Sequence, residues 1–353
     1  MSTQRHAGRI AGKKIKVDDV ARAAGVSAST VDRVLNGREG VKLTTMRRVE
    51  EAMVKLGYAA NSLAARLASP AMQLQIVVPR GVNPFYESLV NEFLEQSKPM
   101  SEAGSEVAIH RIDIFDPEEV QALMRSFRPC PGMTVILVAH NASEIGLEID
   151  SLVQSGVPVI TLVSDNVRSA RRSFIGIDNF AAGRTAGELM SRFIGERNGV
   201  VGILVGHAGL RDHLDRRSGF EQIMAELRPN CEVRLIGSSQ EESAQALLLT
   251  RRAFDNDPDL IGLYNTGAAN DGVFAALEPL AARPRPVVIA HELTEVTRRA
   301  LIKGTCAAVI TQDVPELARR SIDAAIAAHG KAANTERSGG LQIGITIREN
   351  LPW

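Results

Sequence analysis

Cysteine is scarce in this sequence of 353 residues, and long apolar runs are missing from it. The three cysteines (130, 231 and 306) lie far apart, with no C-x-x-C spacing. This excludes a disulfide framework and a structural zinc site, and it predicts a reducing compartment. Apolar runs such as 134–139 are far shorter than the ~20 residues that a membrane span needs. Residues 1–14 are polar and basic with no apolar run, so we expect no secretory signal and a cytoplasmic protein.

The sequence motifs of several enzyme classes are absent as well. There is no G-x-S-x-G, no P-loop, no G-x-G-x-x-G fingerprint and no cluster of metal-ligating residues. His207 and His213 lack a carboxylate or thiol at the spacing that would complete a metal site, so we expect them to be surface histidines. We therefore predict a protein that is not an enzyme and that needs no metal and no cofactor.

Net charge is also lacking, because 41 basic residues balance 41 acidic ones. Taken alone, zero net charge argues against a nucleic-acid partner. The charge is unevenly spread, however. Residues 1–68 hold thirteen lysines and arginines against six acids, a net charge of +7, which leaves −7 on the rest. A basic segment of this kind is typical either of phosphate binding or of a solvated surface without a partner.

The basic segment has the pattern of a helix-turn-helix. Apolar residues at helical spacing predict a first helix from Val17 to Ala24, which Gly25 ends because glycine accepts a positive φ. Ser27 is a good N-cap for a second helix over 28–35. A third helix is predicted from Thr44 to Leu56. The second helix would bury Val31, Val34 and Leu35 and turn Ala28, Ser29, Asp32 and Arg33 outward, toward a major groove.

The run V-D-D-V-A-R-A-A-G-V-S-A-S-T-V-D-R-V-L-N-G at 17–37 resembles the head of the lactose/galactose repressor (LacI/GalR) family. The L-G-Y at 56–58 and the N-S-L-A-A-R-L at 61–67 fit the same family. The resemblance implies that Ala28 and Ser29 read bases, that Arg33 contacts a guanine edge, and that other residues position the DNA backbone. The DNA-contacting set that follows is Ser27, Ala28, Ser29, Thr30, Arg33, Asn36, Tyr58, Asn61 and Leu67.

Residues 61–68 resemble the family's hinge helix, which folds when a dimer sits on its operator. Leu67 stands where the family has a leucine that wedges a central base step in the minor groove. On its own, it would be interpreted as a packing leucine. The sequence departs from the family at Asp32, where serine is usual, and at Ala60, where proline is usual. With small residues at 28 and 29, DNA shape is expected to contribute to operator choice.

From residue 73 onward, short β-branched runs alternate with helical patterns. Almost wholly apolar strands in such alternation indicate parallel sheets covered on both faces. Strands are predicted at 75–78, 106–109, 134–138, 158–162, 174–177, 199–205, 232–235, 260–264, 286–290 and 307–310. Helices are predicted at 84–96, 118–127, 179–194, 218–227, 242–254, 272–280, 293–303 and 314–328. The fold class is thus a small all-α head on an α/β body of two doubly wound lobes, five strands each.

Two such lobes bind a small ligand in the crevice at the carboxyl ends of their strands. The residues that follow the strands are amides, carboxylates, histidines and aromatic rings, which suits a polyhydroxylated ligand. Some have a second interpretation. Asp178 caps a helix or contacts the ligand, and His140 contacts the ligand or a residue behind it. The predicted effector-binding set is Asn83, Phe85, Tyr86, His140, Asp165, Asp178, Arg216, Asn265, Glu292 and Gln312.

The body resembles the repressor core of the same family and the periplasmic ribose/galactose-type binding proteins (type I). The D-N-x-x-x-G at 178–183, the R-x-x-G-F at 216–220 and the Y-N-T-G at 264–267 carry this resemblance. It implies that Arg216 contacts the ligand, although Arg217 is an alternative. Glu292 stands where aspartate is usual, and Gln312 where the family has its ligand-side glutamine. Residues 347–349 are expected to form the closing strand.

The predicted organisation is an arm (1–14), a helix-turn-helix domain (15–59), a hinge helix (60–70) and an effector-binding and dimerisation domain (71–353). Within the body, lobe 1 covers about 71–178 and 314–340, and lobe 2 about 179–313 and 341–353. The predicted function is a cytoplasmic homodimeric repressor. It binds a pseudo-palindromic double-stranded operator and answers to a sugar-like effector. The alternative is a sugar-binding protein or sensor with weak or non-specific DNA binding. A pentose, hexose, polyol or sugar acid all fit, as inducer or co-repressor.

Overall fold

The structure is a computed structural model that describes residues 16–35, 41–56, 71–81, 83–278, 284–329 and 340–352. The described residues before position 69 belong to one compact unit, here called the head, and those from 71 onward to a second, here called the body. Within these ranges, no helix is long and apolar enough to cross a membrane.

Three helices make the described part of the head. Val20, Ala24, Val31 and Val49 pack into a small core between them, because each helix carries its apolar residues on one face. The helices are α1 (Val17–Ala24), α2 (Ala28–Leu35) and α3 (Leu43–Leu56).

The first lobe of the body is a five-stranded sheet, entirely parallel, in the order β2-β1-β3-β4-β5. Its inner strands β3 and β4 are buried along their whole length, as their largely apolar, β-branched sequences predict. The elements are β1 (Gln73–Pro79), α4 (Pro84–Glu102), β2 (Glu106–Ile112), α5 (Pro117–Ser126), β3 (Met133–Leu137), α6 (Ser143–Gln154), β4 (Val159–Leu162) and β5 (Ser173–Ile175).

The second lobe is a six-stranded sheet in the order β11-β10-β9-β8-β6-β7. Its elements are α7 (Asn179–Phe193), β6 (Val200–Val205), α8 (Arg211–Leu227), β7 (Glu232–Ser238), α9 (Ser243–Asn256), β8 (Leu260–Asn265), α10 (Asn270–Leu277), β9 (Val287–His291), α11 (Glu295–Lys303), β10 (Ala308–Thr311) and β11 (Gly344–Thr346). Between β10 and β11, α12 (Val314–His329) packs against α4 and the first sheet. The chain therefore returns to the first lobe before its last strand joins the second.

Helices α7 and α8 lie in unusually close contact, which two glycines make possible. A Cβ at Gly183 would overlap the backbone carbonyl of Arg216, and a Cβ at Gly219 would overlap that of Phe180. Both neighbours are backbone atoms that cannot turn aside as a side chain can. The contact therefore fixes the position of Arg216, the first residue of the R-x-x-G-F motif, relative to α7.

The predicted fold class is confirmed, with corrections in detail. The second sheet has a sixth strand, β11, which pairs antiparallel with β10. The closing strand lies at 344–346, whereas the predicted residues 347–349 fall mostly in a 3₁₀ turn (Arg348–Asn350). Helix α6 was not predicted. Helix α8 begins at Arg211 and not at Ser218, because its first two turns bury polar side chains and so lack an apolar stripe.

Candidate functional site

The exposed face of α2 in the head is the candidate DNA-reading surface. Ala28, Ser29 and Arg33 are exposed, whereas Val31 on the opposite side is fully buried. The Ser27 hydroxyl accepts from the Thr30 amide at 3.1 Å and so caps the helix. The same oxygen lies 2.8 Å from the hydroxyls of Ser29 and Thr30. A row of hydroxyls is thereby presented at the start of the helix, and the exposed Arg33 guanidinium lies in its last turn. Asn36, Tyr58, Asn61 and Leu67 lie outside the described residues.

The turn between α1 and α2 is held by a side chain from α3. Gly25 adopts φ +63°, and the Arg48 guanidinium donates to the carbonyls of Ala24 at 2.5 Å and of Gly25 at 3.2 Å. Arginine thus satisfies carbonyls left free at the C-terminus of α1, where its charge also complements the helix dipole.

Replacing Arg48 by methionine is expected to lower the stability of the head by about 1–2 kcal/mol, because two charge-assisted hydrogen bonds are lost while the stem is kept. Hydrogen exchange of the amides of Val20 and Val31 in the full chain measures this loss. Arg22→Met on the exposed side of α1 is the matched control. Equal protection in the Arg48 and Arg22 variants would contradict the bracing role of Arg48.

The candidate effector site is a cleft of about 840 Å³ in the body, lined by residues from both lobes. The first lobe contributes the residues after β1. The Asn83 side chain accepts from the Phe85 amide at 3.0 Å and caps α4. The rings of Phe85 and Tyr86 meet edge to face, with centroids 5.2 Å apart. Together with Phe115 they give this wall an apolar aromatic surface.

Arg216 is the central cation of the opposite wall. Its side chain is 3% exposed; Nε donates to Asn179 Oδ1 at 2.8 Å and Nη1 to the Thr266 carbonyl at 2.9 Å. Nη2 has no hydrogen-bond partner among the described residues. It lies 3.7 Å from Asp212 Oδ2 and 3.9 Å from Glu292 Oε1. Two fixed bonds hold the guanidinium, so its third nitrogen is available to a ligand.

Three carboxylates surround this guanidinium or lie close to it. Asp212 is on α8, one helical turn before Arg216, and is 3% exposed. Glu292 follows β9 and accepts from Gln312 Nε2 at 2.8 Å. Glu241 follows β7 and accepts from the Ala268 amide at 3.1 Å. Burial raises the pKa of both Glu241 and Glu292, because a low-dielectric setting penalises their charged forms.

Tyr264 and His291 lie near the guanidinium of Arg216. Tyr264 stacks on Phe220 with centroids 4.5 Å apart, and its hydroxyl is 2.8 Å from Nε2 of His291. Burial lowers the pKa of His291 well below its ordinary value, and the positive charge of Arg216 adds to this effect. A neutral His291 lines the cleft, and its Nδ1 has no partner among the described residues.

The two lobes of the body also contact each other directly. Asn141 donates its amide to the Gly209 carbonyl at 2.9 Å, and Arg211 donates its amide to Ser164 Oγ at 3.1 Å. His207 stacks on Phe115 with centroids 3.9 Å apart. Burial, with the charges of nearby histidines, lowers the pKa of His207 to about 4. These three contacts join the lobes through backbone amides, a hydroxyl and aromatic rings.

The structure brings half of the predicted effector residues to the cleft. Asn83, Phe85, Tyr86, Arg216 and Glu292 line it. Gln312 reaches it only through Glu292. Asn265 turns away and donates to the Ala268 carbonyl at 2.7 Å and to Asn270 Oδ1 at 2.9 Å, so it shapes the loop that forms the wall.

The remaining three predicted residues have other partners. Asp165 pairs with Arg171 and accepts from Thr161 at 2.6 Å. Asp178 caps α7 by accepting from the Ala181 amide at 2.9 Å. Both border a smaller hollow of about 330 Å³. His140 accepts from the Ala142 amide at 3.1 Å and lies edge-on to His207, with centroids 5.8 Å apart.

Sequence reasoning missed several residues of the cleft. Asp212 and Glu241 were not predicted, and His213 was wrongly expected at the surface, since its side chain is 5% exposed. Asp212 and Arg216 are four residues apart, a spacing that places them on one helix face. That signal would have identified Asp212 had α8 been extended to Arg211. Glu241 lies in a loop, where no periodicity applies.

Backbone strain marks the same cleft. In the described chain, the non-glycine residues with positive φ all line it, and one of them is the β-branched Val163 at φ 64°. Such conformations cost about 1–3 kcal/mol each and cluster at ligand sites. The full set is Val163, Gln240, Glu241, Ala269 and Glu292.

Comparisons with known proteins agree with this architecture. A family model described as bacterial regulatory proteins, lacI family, matches residues 16–61, and one described as periplasmic binding protein domain matches residues 132–332. Catabolite control protein A of Staphylococcus epidermidis is 33% identical over 153 residues, 43% of this chain and 44% of that protein. The chain spans about half the length of the catabolite control proteins it matches.

Two further relatives extend over most of the chain. The HTH-type transcriptional regulator DegA of Bacillus subtilis is 26% identical over 291 residues, 80% of each chain. The glucose-galactose binding protein GanP of Geobacillus stearothermophilus superposes with a TM-score of 0.71. It is 19% identical, and the match covers 80% of this chain and 100% of GanP. That likeness is one of fold. The chain belongs to the family described as periplasmic binding protein domain, and its residues 16–61 match the DNA-binding domain of the lacI family of bacterial regulatory proteins.

Proposed function

We propose that this protein is a cytoplasmic, homodimeric repressor of transcription whose operator affinity is set by a small effector bound in the cleft of the body. A helix-turn-helix head joined in one chain to a two-lobed body with a polar, strained cleft is the observation that carries the proposal. The names of the regulators that the chain resembles support it. The chain acts by binding and not by catalysis.

The head supplies affinity and sequence choice separately. The +7 charge of residues 1–68 attracts phosphates and makes binding depend on salt, whereas the exposed α2 face carries the groups that can distinguish bases. Two heads on a dimer read two half-sites of a pseudo-palindrome, since the symmetry of the operator follows that of the protein. Leu67 of each hinge segment wedges the central base step.

The body couples the effector to the head. An effector that fits one arrangement of the lobes better than the other shifts operator affinity by its difference in binding energy, typically about 1–3 kcal/mol. GanP, a glucose-galactose binding protein, shares the fold, and the aromatic and hydrogen-bonding walls of the cleft suit a hydroxyl-bearing ligand.

Capture of genomic fragments by the full chain is expected to return a short palindrome with a deformable central step. Arg33→Ala should reduce discrimination at one base pair by about 1–3 kcal/mol, because its guanidinium reads a guanine edge. Leu67→Ala should weaken operator binding by removing the wedge. Lys98→Ala, which removes one charge from the body, is the control. Equal affinity for any duplex would refute the repressor and favour a sugar sensor with non-specific DNA binding.

A further inference from the structure

The cleft is strongly acidic. Its lining includes six carboxylates and only two guanidiniums, those of Arg80 and Arg216. Arg80 is paired with Glu119, which lies outside the lining, so it does not neutralise the cleft. The carboxylates belong to Asp113, Asp212, Glu241, Glu242, Asp271 and Glu292.

The imbalance is greatest where the cleft is deepest. Asp212, Glu241 and Glu292 are 3%, 19% and 16% exposed at their side chains, and among the described residues their ion-pair partners are Arg216 and His213. Three carboxylates thus face one permanent cation, the Arg216 guanidinium. A buried charge without a partner costs several kcal/mol, so this arrangement favours an additional cation.

Buried atoms without partners show where a ligand would bind. Asp212 Oδ1 and Arg216 Nη2 have no hydrogen bond among the described residues, although both side chains are 3% exposed and line the cleft. Since buried polar groups are normally satisfied, an acceptor and a donor at adjacent positions indicate a ligand that both donates and accepts. An ammonium beside a hydroxyl has this pattern.

The pKa directions of the surrounding groups agree with this picture. Burial raises the pKa of Glu241 and Glu292, and the charge of Asp212 raises both further. Tyr86, which lines the cleft from the first lobe, has its pKa raised by burial and then by the charges of Asp212 and Glu241. Phe85, Tyr86 and Phe115 line the cleft, and aromatic rings are groups that stabilise organic cations.

We propose that the effector is an organic ammonium compound bearing hydroxyl groups, such as an amino sugar or amino polyol. Its charged nitrogen binds to Asp212 and Glu241, and a hydroxyl accepts from Arg216 Nη2. This assignment depends on the proposed function in one respect only, namely that the ligand is called the effector. A metal ion is a poorer occupant. In the described chain no three His, Cys, Asp or Glu side chains are placed to hold one, and the guanidinium of Arg216 would repel it.

The test compares ligands that differ in charge at one position. The full chain is titrated with D-glucosamine and D-galactosamine, with their neutral parents D-glucose and D-galactose, and with the anions D-glucuronate and D-galacturonate. Serinol, glycerol and glycerate form a second series with fewer hydroxyls. At least one ammonium compound should raise Tm. A neutral or anionic member that raises Tm more than its ammonium counterpart overturns the assignment, and so does the absence of any rise from the ammonium members.

Two isosteric variants connect the binding to the named carboxylate. Asp212→Asn should weaken binding of the ammonium compound roughly tenfold or more, because a hydrogen bond between charges is lost. Asp215→Asn on the same helix removes the same charge outside the cleft lining, where Asp215 pairs with Arg211, and should leave affinity unchanged. Asp212→Asn should also fold at least as stably as the parent. Equal affinities in the two variants would overturn the assignment.

Operator binding is measured on the same samples, so that the two proposals fail separately. A chain that selects a palindrome but responds only to neutral sugars overturns the ammonium assignment and leaves the repressor intact. A chain that binds an ammonium compound through Asp212 but shows no operator preference supports the assignment as a ligand site and overturns the repressor.

Discussion

Replacing Arg216 by alanine is expected to abolish the response to effector and to lower the free energy of unfolding of the body by about 3–5 kcal/mol. The guanidinium donates to Asn179 and to the Thr266 carbonyl and is the nearest cation to Asp212 and Glu292. Its removal leaves two carboxylates in a buried site with less positive charge beside them. Operator binding in the absence of effector should persist, because the head is a separate compact unit.

Thermal unfolding and operator titration with and without effector measure both effects. Arg217→Ala is the matched control, because Arg217 follows directly in the chain and pairs with Glu221 at the half-exposed surface at 2.7 Å. It should cost less than about 1 kcal/mol, as exposed ion pairs do. Arg216→Lys keeps the positive charge but cannot make both hydrogen bonds, to Asn179 and to the Thr266 carbonyl. Compared with Arg216→Ala, it should restore more of the unfolding free energy than of the response to effector. A normal effector response in Arg216→Ala would show that the ligand binds elsewhere.

Gly183→Ala should destabilise the body by about 3 kcal/mol, at the upper end of overpacking in helix contacts. The added methyl group would overlap the backbone carbonyl of Arg216, and neither α7 nor α8 can yield without moving the other. Because the moved segment contains Arg216, a variant that still folds should also bind effector more weakly. Alanine has a higher intrinsic helix propensity than glycine, yet the alanine variant of α7 should be the less stable protein.

The control for this steric argument is Gly146→Ala on α6. Its Cβ would meet side-chain atoms of Asn166, the nearest at 3.2 Å, so a shift of a few tenths of an ångström in a side chain would suffice and no backbone overlap arises. Denaturant unfolding of the two variants at the same temperature gives the comparison. If both glycines tolerate alanine equally well, the contact between α7 and α8 is looser than described, and Arg216 is held by its hydrogen bonds alone.

The two-lobed α/β architecture could be predicted from the sequence because its pattern, an apolar strand followed by a helix, repeats along the chain. Apolar strands such as β3 and β4 are buried on both faces, so their composition alone indicates a parallel sheet. The strand–helix alternation then places the cleft at the carboxyl ends. The position of the sixth strand was missed, since Gly344–Thr346 is short and half-exposed and carries no such signal.

The cleft was predicted only in part, for a physical reason. Residues at or shortly after strand ends, such as Glu292 and Asn83, have positions set by the sheet, and these were found. Asp212 belongs to a helix whose buried face is polar, which removes the periodicity that locates a helix. Glu241 depends on a left-handed backbone at φ 62°, preceded by Gln240 at φ 53°. Nothing local in a glutamine–glutamate pair predicts that conformation.

The left-handed residues of the cleft have a consequence for the history and engineering of this protein. Glycine would relieve the backbone at Gln240 or Ala269, since it adopts positive φ without a steric penalty. Selection for thermal stability alone would therefore act first on the walls that recognise the effector. Stability and ligand recognition therefore depend on the same five positions, and a variant stabilised there would be expected to bind the proposed effector more weakly.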